Sequence, residues 1–141
     1  MTLAYHNNPT ATATSFHPDP KVPNDSSKRY FRTGDLGNLD SDGFLFLTGR
    51  SKEQINRGGE KISPLEIDNV LLSHFSVAEA VCFGVTSQLY GQEIEAAIVL
   101  KGNVSEEELR AFVGKHLAKF KIPRKIHLVK EVSGCEVCLD L

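Results

Sequence analysis

Two stretches of the chain carry apolar residues at the three- and four-residue spacing of an amphipathic helix. The first follows Ser63-Pro64-Leu65-Glu66, which combines a capping box with proline at the first helical position, and it predicts a helix over residues 64–74. The second follows Ser105-Glu106-Glu107-Glu108, another capping box, and predicts a helix that Pro123 ends. The predicted inner faces carry Ile67, Val70, Leu71 and His74 in the first helix and Leu109, Phe112, Val113, His116 and Leu117 in the second.

Strands are predicted where apolar residues alternate with smaller or polar ones. Two such runs, Val77–Val85 and Ile94–Leu100, flank the turn sequence Ser87–Gln92, so we expect them to pair. A third candidate strand, Ile126–Val132, follows the second helix. The expected fold class is therefore α+β, a small three-stranded sheet with flanking helices.

The first fifty residues predict a loop followed by a β-hairpin. Residues 1–29 lack apolar periodicity and carry prolines at positions 9, 18, 20 and 23, with one short helix expected near Thr10–Phe16. Further on, the turn sequence Asp40-Ser41-Asp42-Gly43 precedes the apolar run Phe44–Leu47, and Gly49-Arg50 closes the second strand.

Composition narrows the classes of partner. The 141 residues carry a net charge of −2, which provides no basic field for nucleic acid or for an anionic membrane surface. No run approaches the roughly 20 apolar residues of a membrane span. The three cysteines are an odd number and do not form a disulfide pattern, so we expect a reducing, cytoplasmic location.

Asp35 and Arg50 are the first candidates for binding chemistry. An aspartate after the Thr33-Gly34 turn can accept two hydrogen bonds from a vicinal diol such as that of ribose, or it can bond nearby backbone amides. Arg50, at the end of the next strand, can donate to the same diol or to phosphate oxygens, or it can remain solvated.

The spacing of these residues belongs to a longer series of motifs. Taken together, the motifs resemble the AMP-forming adenylating enzymes, which include the acyl-CoA synthetases, and most closely the 4-coumarate and oxalate type. The resemblance covers about residues 4–132 in the expected order. The matching segments are Tyr5-His6-Asn7-Asn8-Pro9, Tyr30-Phe31-Arg32-Thr33-Gly34-Asp35, Gly49-Arg50 with Lys52, Gly59-Glu60-Lys61-Ile62, Pro64-x-Glu66-Ile67 and Phe120-Lys121-Ile122-Pro123.

The resemblance implies a domain boundary at Lys52. In this family a large N-terminal domain binds ATP and an acid, and a small C-terminal domain swings about a hinge between acyl-adenylate formation and thioester formation with CoA. Residues 1–51 then correspond to a remnant of the N-terminal AMP-binding domain, residues 52–132 to the C-terminal domain, and residues 133–141 to a divergent tail. ATP or AMP, Mg²⁺ and CoA are the ligands of the parent family.

By position, the resemblance also assigns roles to single residues. Asp35 and Arg50 are the nucleotide-binding residues, Lys52 is the hinge, and Gly58 and Gly59 form a loop that faces the pantetheine arm of CoA. Lys52 is equally explained as an exposed linker residue, which is compatible with a hinge, and the two glycines are equally explained as a plain turn.

Two further residues have an open assignment. Asn56 either lines the surface used for thioester formation or is solvated. Glu66 either lines the same surface or serves only as the capping-box partner.

Several elements of the family are missing from this sequence. The phosphate-binding loop, the adenine pocket and the acyl pocket precede the matched region, and the late Gly-Lys motif is replaced by Ser133–Leu141. We therefore expect no catalytic residue here, no cofactor bound by this chain alone, and weak binding of ATP, AMP or CoA at most. Two alternatives follow: an inactive C-terminal portion of an acyl-CoA synthetase, or a non-catalytic module that binds a full-length synthetase or another protein.

The C-terminal tail has two interpretations. Cys135-Glu136-Val137-Cys138 has the form of half a zinc site or a redox pair, but zinc needs four ligands and no second pair is present, so no metal is expected. The other interpretation is that Ser133–Leu141 is foreign to the domain. Full-length family members can be peroxisomal, and the last residues do not form a peroxisomal signal.

Overall fold

The computed structural model describes residues 4–25 and 28–132. Within this range the chain divides into two compact units, with the division between Asp35 and Leu36.

The first unit contains a short helix and a pair of short strands. Helix α1 (Pro9–Ser15) begins at Asn8, whose side chain accepts a hydrogen bond from the Ala11 N–H at 2.9 Å. Strand β1 (Phe16–Pro18) pairs antiparallel with β2 (Arg29–Phe31). The predicted short helix is thus confirmed, and the strand pair was not predicted because three-residue strands show no alternation.

The predicted hairpin is present, with β3 (Asp35–Leu39) paired to β4 (Leu45–Arg50), and from Leu36 onward it belongs to the second unit. Its turn is held by Asp40, whose carboxylate accepts from the N–H groups of Asp42 at 3.0 Å and Phe44 at 2.8 Å. These short-range bonds explain why the turn was recognisable from the sequence.

A five-stranded sheet forms the centre of the second unit. Two strands, β5 (Ile55–Arg57) and β6 (Glu60–Ile62), make a tight hairpin, and helix α2 (Pro64–Leu72) follows them. The long strands β7 (Val77–Ser87) and β8 (Gly91–Leu100) are antiparallel. Helix α3 (Glu106–His116) and a 3-10 turn (Lys119–Lys121) lead to β9 (Lys125–Leu128), which is parallel to β8.

The mixed α/β fold class is confirmed, with two strands more than predicted. On one side β8 pairs with β7, and on its other side it pairs first with β5 and then with β9. One face of this sheet packs against both α2 and α3. The buried residues of this core are Ile55, Ile62, Ile67, Leu71, Val77, Ala80, Cys82, Ile94, Ala96, Ile98, Leu109, Val113 and Ile126.

The two predicted capping boxes have different outcomes. At α3 the box is present: Ser105 Oγ accepts from the Glu108 N–H at 3.2 Å, and Glu108 Oε2 accepts from the Ser105 N–H at 3.0 Å. At α2 the prediction is wrong, because the Ser63 side chain makes no capping bond and its hydroxyl donates to the Thr48 carbonyl at 2.5 Å. The Ser63 side chain therefore bonds a residue of β4 and not an N–H group of its own helix.

Three predicted element ends also differ from the structure. Helix α2 ends at Leu72 rather than at residue 74, and α3 ends at His116, seven residues before Pro123, so Pro123 is not what ends it. Strand β9 ends at Leu128 rather than at Val132.

Candidate functional site

Asp35 lies at the start of β3, directly after the Thr33-Gly34 turn. Its N–H donates to Thr33 Oγ1 at 3.1 Å, so the threonine side chain holds the turn in shape. Asp35 is exposed to solvent. The backbone at this position is therefore fixed locally.

Arg50 is the last residue of β4, and its side chain is exposed. Its guanidinium lies 3.9 Å from a Glu53 carboxylate oxygen, a distance typical of a weak surface ion pair. Asp35 is the last residue of the first compact unit, and Arg50 belongs to the second.

Lys52 occupies an exposed turn between the β3–β4 hairpin and β5. The Glu53 N–H donates to the Arg50 carbonyl at 3.2 Å, which closes the turn around Ser51 and Lys52. Backbone angles can change at an exposed position between two elements without disturbing packed side chains, which is what a hinge requires.

Gly58 and Gly59 form the two-residue turn between β5 and β6. Their φ angles are +61° and +95°, and a turn with positive φ at both central residues is the type that matches the twist of paired strands. The Gly58 N–H donates to the Tyr90 carbonyl at 2.8 Å, and the Gly59 N–H donates to Asn56 Oδ1 at 3.2 Å. Among the described residues, its two chain neighbours aside, no heavy atom lies within 4 Å of the position that a Gly59 Cβ would occupy, so the outer side of the turn is open.

Asn56 and Glu66 both make contacts that the sequence did not identify. Asn56 supports the turn through its side chain, and its own N–H donates to Gln92 Oε1 at 2.7 Å. Both carboxylate oxygens of Glu66 lie 2.7 Å from Lys121 Nζ, which joins α2 to the 3-10 turn. Glu66 is therefore a link between elements and not a capping residue.

A cluster of Arg57, Tyr90 and Glu93 lies beside the glycine turn and was missed in the sequence. Arg57 donates from Nε to Glu93 Oε2 at 2.9 Å and from a terminal nitrogen to Oε1 at 3.0 Å, and its guanidinium lies 4.3 Å from the Tyr90 ring centre. The hydrogen bonds to Glu93 raise the pKa of Arg57, and those from Arg57 lower the pKa of Glu93. The 36-residue separation of Arg57 and Glu93 left no local signal that could have found the pair.

Metal-binding side chains and cysteine thiols were the remaining candidates for chemistry among the described residues. Residues 4–25 and 28–132 contain no group of three or more His, Cys, Asp or Glu side chains arranged to hold a metal ion. Cys82 is buried, and this burial raises the pKa of its thiol far above the usual range. Cys135 and Cys138 lie outside the described residues.

No helix in the described part of the chain has the length and apolar character needed to cross a bilayer.

The sheet and its two helices have the fold of the small C-terminal domain of adenylating enzymes. Residues 66–133 match the AMP-binding enzyme C-terminal domain. The resemblance to the AMP-forming adenylating enzymes, limited to their C-terminal portion, is confirmed.

Curated relatives are CoA ligases. The chain is 52% identical over 134 residues to the oxalate–CoA ligase of Saccharomyces cerevisiae, covering 94% of this chain and 23% of that protein. It is 44% identical over 140 residues to the oxalate–CoA ligase of Arabidopsis thaliana, covering 95% and 25% respectively. The chain thus spans about a quarter of the length of these relatives.

Solved structures of adenylating enzymes also resemble this chain. The o-succinylbenzoate CoA synthetase of Bacillus subtilis, in complex with its acyl-adenylate intermediate, has a TM-score of 0.77 and 38% identity over 91% of this chain and 24% of its own. ATP-bound MatB from Rhodopseudomonas palustris has a TM-score of 0.78 and 28% identity over the same shares of the two chains.

Proposed function

We propose that this chain carries the C-terminal part of an acyl-CoA synthetase, which converts an acid, ATP and CoA into an acyl-CoA, AMP and pyrophosphate. The observation that supports this most directly is the Gly58–Gly59 turn. Its backbone amides are bonded from within the domain, and its outer side is open to an approaching chain. A narrow, mostly uncharged chain such as the pantetheine arm can lie against the open side of this turn.

In this proposal Asp35 and Arg50 bind the nucleotide. The Asp35 carboxylate accepts from the two ribose hydroxyls, and the Arg50 guanidinium donates to ribose or phosphate oxygens. Lys52 is the hinge about which residues 52–132 turn between the two half-reactions. The short segment around Lys52 supports this role because it is exposed and lies between two regular elements.

This chain alone is proposed to be inactive. Two charged hydrogen-bonding residues contribute roughly 1.5–3 kcal/mol each, whereas association costs about 4–15 kcal/mol, so nucleotide affinity is expected to be millimolar at best. Acid-dependent pyrophosphate exchange by the purified chain would overturn this part of the proposal.

A chimera tests the main proposal. Residues 30–132 of this chain replace the equivalent segment of the S. cerevisiae oxalate–CoA ligase, and the rest of that enzyme is unchanged. We expect oxalyl-CoA formation within roughly tenfold of the parent. The same chimera with Asp35→Ala is the matched control and should lose roughly 10²–10⁴-fold, because two charged hydrogen bonds of about 1.5–3 kcal/mol each are lost. A folded chimera that adenylates oxalate but forms no thioester would contradict the role of this domain.

A second candidate is a non-catalytic module that binds a full-length synthetase. The β3–β4 hairpin supports it, because Phe44 in its turn and Leu45, Phe46 and Leu47 in β4 are each more than half exposed, and consecutive residues of β4 point to opposite faces. A two-stranded hairpin with two uncovered apolar faces is marginal by itself. Co-elution of the chain with the S. cerevisiae enzyme on a sizing column supports this alternative, and separate elution at micromolar concentrations removes it.

The proposed location is the cytoplasm. Cys82 is a free, buried thiol among the described residues, which is typical of proteins in a reducing compartment.

A further inference from the structure

The glycine turn is connected to a second turn of the domain through Tyr90. Tyr90 lies between β7 and β8, and its carbonyl accepts the Gly58 N–H at 2.8 Å. Its ring lies 3.4 Å from the position of a Gly58 Cβ and 4.3 Å from the Arg57 guanidinium. Arg57 immediately precedes the glycines, so backbone and side-chain contacts converge on the same two turns.

Glu93 fixes the direction of the Arg57 side chain. A bidentate arginine–carboxylate pair holds the guanidinium plane in one orientation, and here Glu93 is only 7% exposed. Removing one partner of such a pair leaves a poorly solvated charge. The orientation of Arg57, and with it the packing on Tyr90, therefore depends on the Glu93 charge.

We propose that Arg57, Tyr90 and Glu93 are positioning residues that hold the Gly58–Gly59 turn in the conformation that receives the pantetheine arm of CoA. The inference rests on the proposed function of this turn. None of the three acts on the reacting atoms. Their contribution is to order a two-glycine segment, which otherwise has the greatest backbone freedom of any pair of residues.

The chain contains a matched control two residues along the same strand. Glu95 is part buried and its carboxylate lies 2.6 Å from His127 Nε2 on β9. Glu93 and Glu95 lie on the same face of β8, since alternate strand residues share a face. The two glutamates differ in their partners. Glu93 bonds Arg57, which is next to the glycine turn, whereas Glu95 bonds His127 on β9.

The first arm of the test measures the turn itself in the 141-residue chain. Amide hydrogen exchange is compared between wild type, Glu93→Gln and Glu95→Gln. We expect exchange at Gly58 to accelerate roughly tenfold in Glu93→Gln and to remain unchanged in Glu95→Gln, with Val113 in the core as the internal reference. Equal acceleration at Gly58 and Val113, or no acceleration at Gly58, would overturn the inference.

If Glu93→Gln does not fold, Arg57→Lys provides the same comparison. Lysine keeps the positive charge but loses the planar fork that bonds both carboxylate oxygens. The expected result is again a faster exchange at Gly58 without a change at Val113.

The second arm uses CoA itself as the probe, at millimolar concentrations suited to weak binding. Wild type and Glu95→Gln should show CoA-dependent amide shifts at Gly58 and Gly59, and in Glu93→Gln these shifts should fall to a small fraction. If wild type shows no shift, the CoA-facing role in the proposed function fails, whereas the exchange arm still decides whether the cluster orders the turn. Retention of the full CoA shift in Glu93→Gln would overturn the positioning role.

Discussion

The Asp68 carboxylate on α2 accepts a hydrogen bond from the backbone N–H of Cys82 on β7, at 2.7 Å. Among the described strands β7 pairs only with β8, so Asp68 satisfies an amide on the outer edge of the sheet. Burial raises the pKa of Asp68 to about 6, although the bond from Cys82 opposes that shift. The helix is thus tied to the sheet through a carboxyl group that titrates near neutral pH.

This relationship predicts an unusual pH dependence of stability. A pKa raised in the folded state means that the folded chain binds the Asp68 proton more tightly than the unfolded chain between about pH 4 and pH 6. The Asp68 contribution therefore falls as pH rises through that window, by roughly 1–3 kcal/mol, and stays constant above it.

Asp68→Asn isolates this contribution, because asparagine keeps an acceptor for Cys82 and loses the charge. Urea unfolding at pH 4, 5, 6 and 7 should show the stability of the variant gaining on wild type as pH rises. A constant difference between the two across the series would contradict the assignment. Asp68→Ala, which removes the acceptor, should be less stable than Asp68→Asn by about 1–3 kcal/mol.

A second prediction separates the two serines that precede helices. Ser105→Ala removes an observed N-cap and should lower the free energy of unfolding by about 1 kcal/mol, with exchange accelerating first in the opening turn of α3. Ser63→Ala should leave exchange in the first turn of α2 unchanged and loosen β4 instead, since the Ser63 hydroxyl bonds the Thr48 carbonyl. Fraying of α2 in Ser63→Ala would show that the serine caps its helix after all.

These serines illustrate what the sequence could predict. The Ser105 box is satisfied within four residues, so its pattern is sufficient, whereas Ser63 has a partner 15 residues earlier that no local pattern reveals. The same limit applies to β5 and β6. With three residues each, they are too short for alternation, and their pairing depends on the intervening glycines.

The candidate site shows the same difference between features set by local sequence and features set by distant partners. Asp35, Arg50, Lys52 and the two glycines were predicted from motifs, and their functional roles remain predictions. The Arg57–Glu93 pair could not be predicted, because its two residues meet only after β5 and β8 come together. Contacts of long sequence separation are the part of the fold that periodicity and capping do not encode.

A third prediction concerns Gly49, next to the Ser63 contact. Its φ is +140°, and an added Cβ would lie 2.5 Å from Ser63 Oγ. Gly49→Ala should therefore cost about 2–4 kcal/mol, from backbone strain together with the steric conflict. In a Ser63→Ala background the steric part should disappear, which a double-mutant cycle detects as a coupling of about 0.5–3 kcal/mol. Additive effects would show that the hydroxyl simply moves away.

A last prediction distinguishes the two turn glycines by where a side chain would point. At Gly58 a Cβ would make an ordinary 3.4 Å contact with Tyr90, and a φ of +61° is one that asparagine also adopts. Gly58→Asn should therefore keep the stability of the chain and weaken the CoA-dependent amide shifts less than a side chain at Gly59 does.

At Gly59 the added Cβ would point into the open side of the turn, where the pantetheine arm is proposed to lie. Gly59→Ala should cost about 1–2 kcal/mol because its φ of +95° is unfavourable for alanine, and it should also weaken the CoA-dependent shifts. Thermal unfolding and CoA titration of the two variants provide the comparison. If both weaken the CoA shifts equally, or neither does, the open side of the turn is not where CoA approaches, and the glycines are explained by the turn alone.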